Sequence, residues 1–395
     1  MAISNAPGGI SGRRLHVVTL TPFYPTEEDE ANGCFVFESL VWLSKRGVRT
    51  TVFALQPFYR ERARSPKSEV AAKWFRYFAF PGGFGLPSAG AFAFARVVGQ
   101  IRGLHRSRPI DLIHAHGALP CGHTAMLLSG ELKIPFVISV HGLDAYSDVQ
   151  VSGRSGEWCR RISRRVFSSA RRVICISEHV REQVLSGLSQ GTRTSVVYNG
   201  VDPERFSPEE ESSGNALTLL SVGNLIPIKG HESLIRACAA ISGEFSSLVL
   251  EIIGEGPERQ RLQALAQQLG IADRVRFRGR QSRQQVADAM RRCTVFALPS
   301  RYEGLGCVYL EAMAAAKPII GCRGQGIAEI VQHGSNGFLV GAENDRELSL
   351  ALDMLLKDAN RRENVGRAAR ETILEGLTLE HQAERLARIY QESTA

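Results

Sequence analysis

The sequence predicts an α/β fold of two domains, each a parallel sheet wrapped by helices. Three observations predict it. Short apolar runs such as LHVVTL (15–20) and LVLEII (248–253) have the length and branched content of strands buried on both faces. Helical segments separate these runs, and parallel neighbours need such crossovers. The alternation stops in a polar stretch at 206–215 and then starts again. The expected division is therefore 1–205, a linker at 206–215, 216–375, and a closing helical segment at 376–395.

Length and composition agree. A chain of 395 residues can bury two cores. With 44% hydrophobic and 22% charged residues it has the balance of a soluble globular protein. The opening MAISNAPGGISGRR lacks an apolar core, so no signal peptide is expected. The best candidate for a membrane span, Leu86–Ile101, is broken by Arg96 and falls short of the roughly 20 apolar residues needed. Eight cysteines without a Cys-x-x-Cys pair read as reduced, buried thiols, so neither a disulfide frame nor a metal site is expected. The expected location is cytoplasmic, either free or peripheral on the inner face of the membrane.

Charge is unevenly shared. Residues 1–205 hold 26 Lys and Arg against 16 Asp and Glu, while residues 206–395 hold 22 against 24. An anionic partner for the first half would explain this, as would arginines solvating an ordinary helical surface.

In chain order, the first strand is Leu15–Leu20. A loop with Asn32 and Gly33 leads to a helix from Cys34, and a second strand covers Arg49–Leu55. That loop lacks G-x-G-x-x-G, which argues against a dinucleotide cofactor. Residues 56–80 interleave bases with aromatics, including Phe58, Arg60, Arg62, Arg64, Lys67, Trp74, Arg76 and Phe80. This suits a membrane interface or an insertion packed on the domain. Single-stranded nucleic acid would also stack there, but no nucleic-acid motif accompanies it. DLIHAHG is a strand whose alternation puts His114 and His116 on one face. PFVISVHG repeats the strand ending, with His141 and Gly142 where ligands of open α/β sheets bind. Residues 155–172 form an amphipathic helix with Arg160, Arg161, Arg164 and Arg165 outside.

The second half opens with strand Leu217–Val222, then Gly223, Asn224 and Lys229 before a helix. Strand Leu248–Ile253 ends in the turn Gly254-x-Gly256. The central stretch is PSRYEGLGCVYLEAMAAAKPII, which passes from strand to loop to helix. Glu303 lies in its loop and Glu311 in its helix. A helix start offers unpaired amides, glycines let an anion approach, and carboxylates accept from sugar hydroxyls. On spacing alone, an ordinary loop-to-helix turn accounts for it better.

The whole phrase says more. PSRYEGLG…EAMAAAKPII resembles the signature of the retaining glycosyltransferases with two facing Rossmann domains, the GT-B fold, in which two glutamates stand in this setting. The resemblance implies Glu303 at the transferred sugar and Glu311 at the nucleotide ribose. The turn Gly304-Leu305-Gly306 would lie at the diphosphate and sugar hydroxyls. It also implies His141 on a sugar hydroxyl, Gly254 at the nucleotide, and Gly33 with His116 on the acceptor side. Gly324, Gly326 and Glu329 would border the same crevice. The family's Arg five residues before Lys229 is Asn224 here, leaving Arg301 or Arg323 to supply the missing cation. The implied activity is sugar transfer from a nucleotide-sugar donor to a glycan, glycolipid or lipid-linked acceptor, in cell-surface polysaccharide or glycolipid synthesis. No metal or other cofactor and no nucleic acid is expected, and an anionic membrane surface is a candidate partner. The alternatives are a sugar-nucleotide epimerase and a catalytically silent partner of a polysaccharide-assembly complex.

Overall fold

The computed structural model describes residues 14–60, 64–65, 68–80, 85–145, 151, 153–188, 191–208 and 217–395. The N-terminal tail, Arg62, Lys67 and linker residues 209–215 lie outside the described residues.

The first sheet contains β1 (His16–Thr21), β2 (Arg49–Pro57), β3 (Lys73–Tyr77), β4 (Leu112–His116), β5 (Phe136–Val140), β6 (Arg172–Cys175) and β7 (Thr194–Val196). All pairs are parallel, in the order β3-β2-β1-β4-β5-β6-β7. The second sheet holds β8 (Thr218–Val222), β9 (Val249–Ile253), β10 (Val275–Gly279), β11 (Val295–Ala297), β12 (Ile319–Cys322) and β13 (Phe338–Val340). It is also parallel, ordered β10-β9-β8-β11-β12-β13. Strand order reverses between β1 and β4 in one sheet and between β8 and β11 in the other. At such switch points the connections leave in opposite directions and open a crevice at the strands' C-terminal ends.

The helices follow from apolar spacing and caps. α1 (Cys34–Lys45) buries Val36, Leu40 and Leu43. α2 (Leu86–Ser107), the segment weighed above as a span, buries Ala89, Ala93, Val97 and Ile101 along one stripe and keeps Arg96 exposed. Among the described residues no helix is long and apolar enough to cross a membrane. α3 (His123–Leu132), α4 (Gly153–Ser169) and α5 (Glu178–Leu185) complete the first half. α6 (His231–Ile241), α7 (Arg259–Gln268), α8 (Arg283–Arg292), α9 (Cys307–Ala314), α10 (Asp345–Lys357) and α11 (Ala359–Gly376) wrap the second sheet. α12 (Leu379–Thr394) returns to the first half, where Ala383, Leu386 and Tyr390 share an apolar cluster with Val17, Leu40, Leu43 and Leu112.

Two expectations change. β3 lies inside the basic–aromatic stretch, so part of that stretch is a sheet edge paired to β2. Phe206, at the start of the expected linker, is fully buried.

Candidate active site

A cleft of about 670 Å³ opens between the two switch points and is lined from both halves. β8 and β11 are neighbours, so the loops that follow them meet. Arg301 donates its amide to Ile228 O at 2.8 Å. A Cβ on Gly230 would fall 2.0 Å from Pro299 O, so only glycine permits this approach. The result is that Lys229 Nζ and Glu303 Oε2 lie 2.5 Å apart, with both side chains largely buried.

The loop of Glu303 is fixed from three sides. Its amide donates to Gln325 Oε1 (2.9 Å), its carbonyl accepts from Gly326 (3.1 Å), and the Gly304 carbonyl accepts from Ser177 Oγ of the first half (2.5 Å). A Cβ on Gly304 would stand 2.7 Å from the His141 carbonyl, so the loop is seated directly on the end of the β5 strand. Gly306, at φ +83°, starts α9 without a side-chain cap, so no side chain caps the amides of Cys307 and Val308 at the cleft-lining start of this helix.

Glu311 lies one turn further on and is 3% exposed. Its Oε1 accepts from Arg283 Nη1 at 2.6 Å, while its buried Oε2 has no hydrogen-bond partner among the described residues. The residues expected at the nucleotide stand on one wall of the cleft. Gly223, Asn224 and Gly254 line the cleft. Gly254 (φ +145°) approaches Gly223 so closely that a Cβ would sit 1.9 Å from its carbonyl oxygen. Asn224 is exposed on this wall.

From the first half, Gly33 (φ +72°) and His141 reach the cleft. The His141 amide donates to Asp144 Oδ1 at 2.8 Å, and its ring packs 4.7 Å from that of Phe35. Burial holds the His141 imidazole down at about 4, so it is neutral at physiological pH. Burial raises the Asp144 carboxyl to about 6, against three backbone hydrogen bonds that favour its charge.

Several expected residues sit elsewhere. His116 is buried behind His141, its Nδ1 2.9 Å from His141 Nε2. Strand alternation placed it on the right face, but that face is covered. Leu305 is in the core. Arg301 pairs with Glu343, and Arg323 with Glu347 and the Leu339 carbonyl, so neither lines the cleft. Glu329 turns to the other half and accepts the amides of Glu178 and His179 at 2.8 and 2.6 Å, capping α5. The cations that do line the cleft besides Lys229 are Arg280, paired with Asp29, and Arg283. The sequence reading missed Arg283 in its polar surroundings. Among the described residues no group of three His, Cys, Asp or Glu is placed to hold a metal ion.

Residues 202–372 match the glycosyl transferases group 1 family, and residues 35–205 match glycosyltransferase family 4. An uncharacterized glycosyltransferase of Methanocaldococcus jannaschii is 31% identical over 265 residues, which is 67% of this chain and 71% of that protein. The chain belongs to the group 1 glycosyltransferases. Solved structures share the GT-B architecture of two Rossmann-like domains. Sucrose-phosphate synthase from Thermosynechococcus elongatus superposes with a TM-score of 0.79 at 20% identity, covering 96% of this chain and 99% of that one. The Anabaena protein HepE, solved in complex with UDP and glucose, gives 0.74 at 20% identity over 96% and 100% of the two chains.

Proposed function

We propose that this group 1 glycosyltransferase moves a sugar from a nucleotide-sugar donor to a glycan, glycolipid or lipid-linked acceptor, with retention of anomeric configuration. The observation that carries the reading is the buried Lys229–Glu303 pair beside the uncapped start of α9, with the open oxygen of Glu311 one turn away. In this reading the diphosphate takes Lys229 and the α9 amides, the ribose takes Glu311, and the sugar hydroxyls take Glu303 and His141. The bond from sugar C1 to the diphosphate oxygen breaks, and one from C1 to the acceptor oxygen forms. The acceptor's hydroxyl proton leaves with the diphosphate or to solvent. Lys229 and the amides stabilise the charge that develops on the departing diphosphate, as preorganised donors do without reorganising. Glu303 positions the sugar and stabilises positive charge on its ring.

The test is release of nucleoside diphosphate from UDP-, GDP- and ADP-sugars, with and without glycan and lipid acceptors. Acceptor-dependent release that persists in EDTA is expected, since side chains and amides are proposed to do the work of a cation. Interconversion of the donor sugar without any acceptor would instead identify an epimerase.

A lipid-borne acceptor is favoured by one surface. Phe58, Tyr59, Phe78, Phe80 and Phe92 are each 39–55% exposed and pack on one another, with Phe58 stacked 5.4 Å from Phe78. α2, which carries Phe92, packs against α4, whose exposed residues include Trp158 and five arginines. Clustered exposed rings beside cations suit an anionic bilayer interface, where each cation contributes about 1 kcal/mol. Liposome co-sedimentation should show binding to anionic but not neutral vesicles, weakened by salt and by Phe58→Ser, Phe78→Ser and Phe80→Ser together. Recovery that ignores vesicle charge would favour a soluble acceptor.

A further inference from the structure

The two oxygens of Glu311 have different fates. Oε1 is held by Arg283, and Oε2 is buried and open. Arg283 in turn does not rest on its own half alone. Its Nη2 reaches Glu38 of α1 at 3.1 and 3.3 Å, and its guanidinium lies 5.2 Å from the centre of the Phe206 ring. Glu38 is gripped a second time by Arg205 at 2.5 Å. The side chains of Arg283 and Glu38 are 14% and 11% exposed. Glu38 does not line the cleft.

We propose that Arg283 and Glu38 are positioning residues for nucleotide binding: Arg283, braced by Glu38 from the opposing half, holds Oε1 of Glu311 so that its unpartnered Oε2 faces the ribose hydroxyls. The inference rests on the reading of Glu311 given above. A carboxylate at this depth that lost its counter-ion would rotate toward another donor. The arginine fork suits the task because its nitrogens are fixed in one plane, and one serves each carboxylate. Burial opposes the Arg283 charge, and Glu311 first, with Cys34 and Glu38, more than offsets it. The pairing also cancels the charge of Glu311, which would otherwise repel the neighbouring diphosphate. Because Glu38 belongs to the first half, the ribose carboxylate is fully held only when the halves are together. Nucleotide affinity and closure of the cleft therefore depend on the same arginine.

The test titrates wild type, Glu38→Gln, Glu311→Gln and the double variant with UDP, GDP and ADP, then with the 2′,3′-dideoxy form of the nucleotide that binds. Glu38→Gln should weaken that nucleotide by about tenfold, the scale of one charge-assisted hydrogen bond, although Glu38 does not touch it. The penalty should vanish with the dideoxy form, which has no hydroxyls for Oε2. The double variant should bind no worse than Glu311→Gln alone. In turnover, donor KM should rise while kcat is kept. Equal losses for ribose and dideoxyribose forms would make the cluster a structural tie only and overturn the inference, as would no loss at all. A wild type that binds none of the three nucleotides would overturn the donor reading itself, and this inference with it.

Discussion

Among the described residues, each of the three cations lining the cleft already has an acidic partner: Lys229 has Glu303, Arg280 has Asp29, and Arg283 has Glu311 and Glu38. On the proposed reading, an arriving diphosphate would draw Lys229 away from Glu303, and that exchange would also free Glu303 for the sugar. Asn224 stands on the same wall with no charge to offer. Asn224→Arg would add a cation not already committed, and it should tighten UDP or GDP by about 1.5 kcal/mol, roughly tenfold, measured by calorimetry. Unchanged affinity would show that this loop does not face the phosphates. The residues legible in the sequence, Glu303, Glu311, His141 and Lys229, stand in local phrases at strand ends, where the chain's own geometry puts them in the crevice. Arg283 and Glu38 were not legible. They meet across 245 residues, and neither stands in a phrase that marks chemistry.

At the scale of elements, the halves are joined by ordinary caps used across a boundary. Glu329 closes the start of α5, and Ser177 both caps α5 and holds the Gly304 carbonyl. α12 contributes differently. Its Tyr390 hydroxyl lies 2.7 Å from His114 Nδ1, and His114 Nε2 lies 2.8 Å from Ser139 Oγ, all fully or nearly buried. Tyr390→Phe keeps the ring and strands one imidazole nitrogen. It should cost about 1–3 kcal/mol in urea unfolding, with the slope unchanged. A cost near zero would mean that water replaces the hydroxyl. The alternation of strands and helices was readable because each central strand is one compact apolar run. β3 was not, because KWFRY is a partly buried edge strand, and its mixed composition reads as surface.

For the whole molecule, the buried imidazoles set a pH dependence. Burial lowers His114 to about 3, helped by the charge of His141, and lowers His141 and His231 to about 4; His116 is lowered too. Their folded values lie below the unfolded value of about 6.5, so between the two the unfolded chain binds more protons. Stability is therefore full above about 6.5 and is lost as pH falls toward 4. Asp144, raised to about 6, and Glu38, also raised by burial, work in the opposite direction over part of that window, but burial lowers His16 and His123 as well, so the imidazoles outnumber them. The melting temperature should fall steadily from pH 6.5 to 4.5, and unfolding at pH 5 should take up protons. A flat profile would mean that these histidines are solvated. None of this was legible in advance, because a histidine at a strand end looks the same whether or not a helix covers it.

The chain passes between halves twice, and the two passages touch. Val201 donates its amide to Leu377 O at 3.0 Å, and Leu379 donates to Val201 O at 3.0 Å. Because α12 lies on the first half, both β1, near the start of the chain, and its last helix belong there. Topologically the second half is thus an insert whose entry and exit are already side by side. Residues 202–376 can be cut out and another such half joined at the same two points without moving the first half's ends. The difficulty of such an exchange lies across the cleft, where Glu38, Ser177 and Asp29 must find new partners for Arg283, Gly304 and Arg280. On the proposed reading donor preference is separable along the chain, and closure is the property that must be rebuilt.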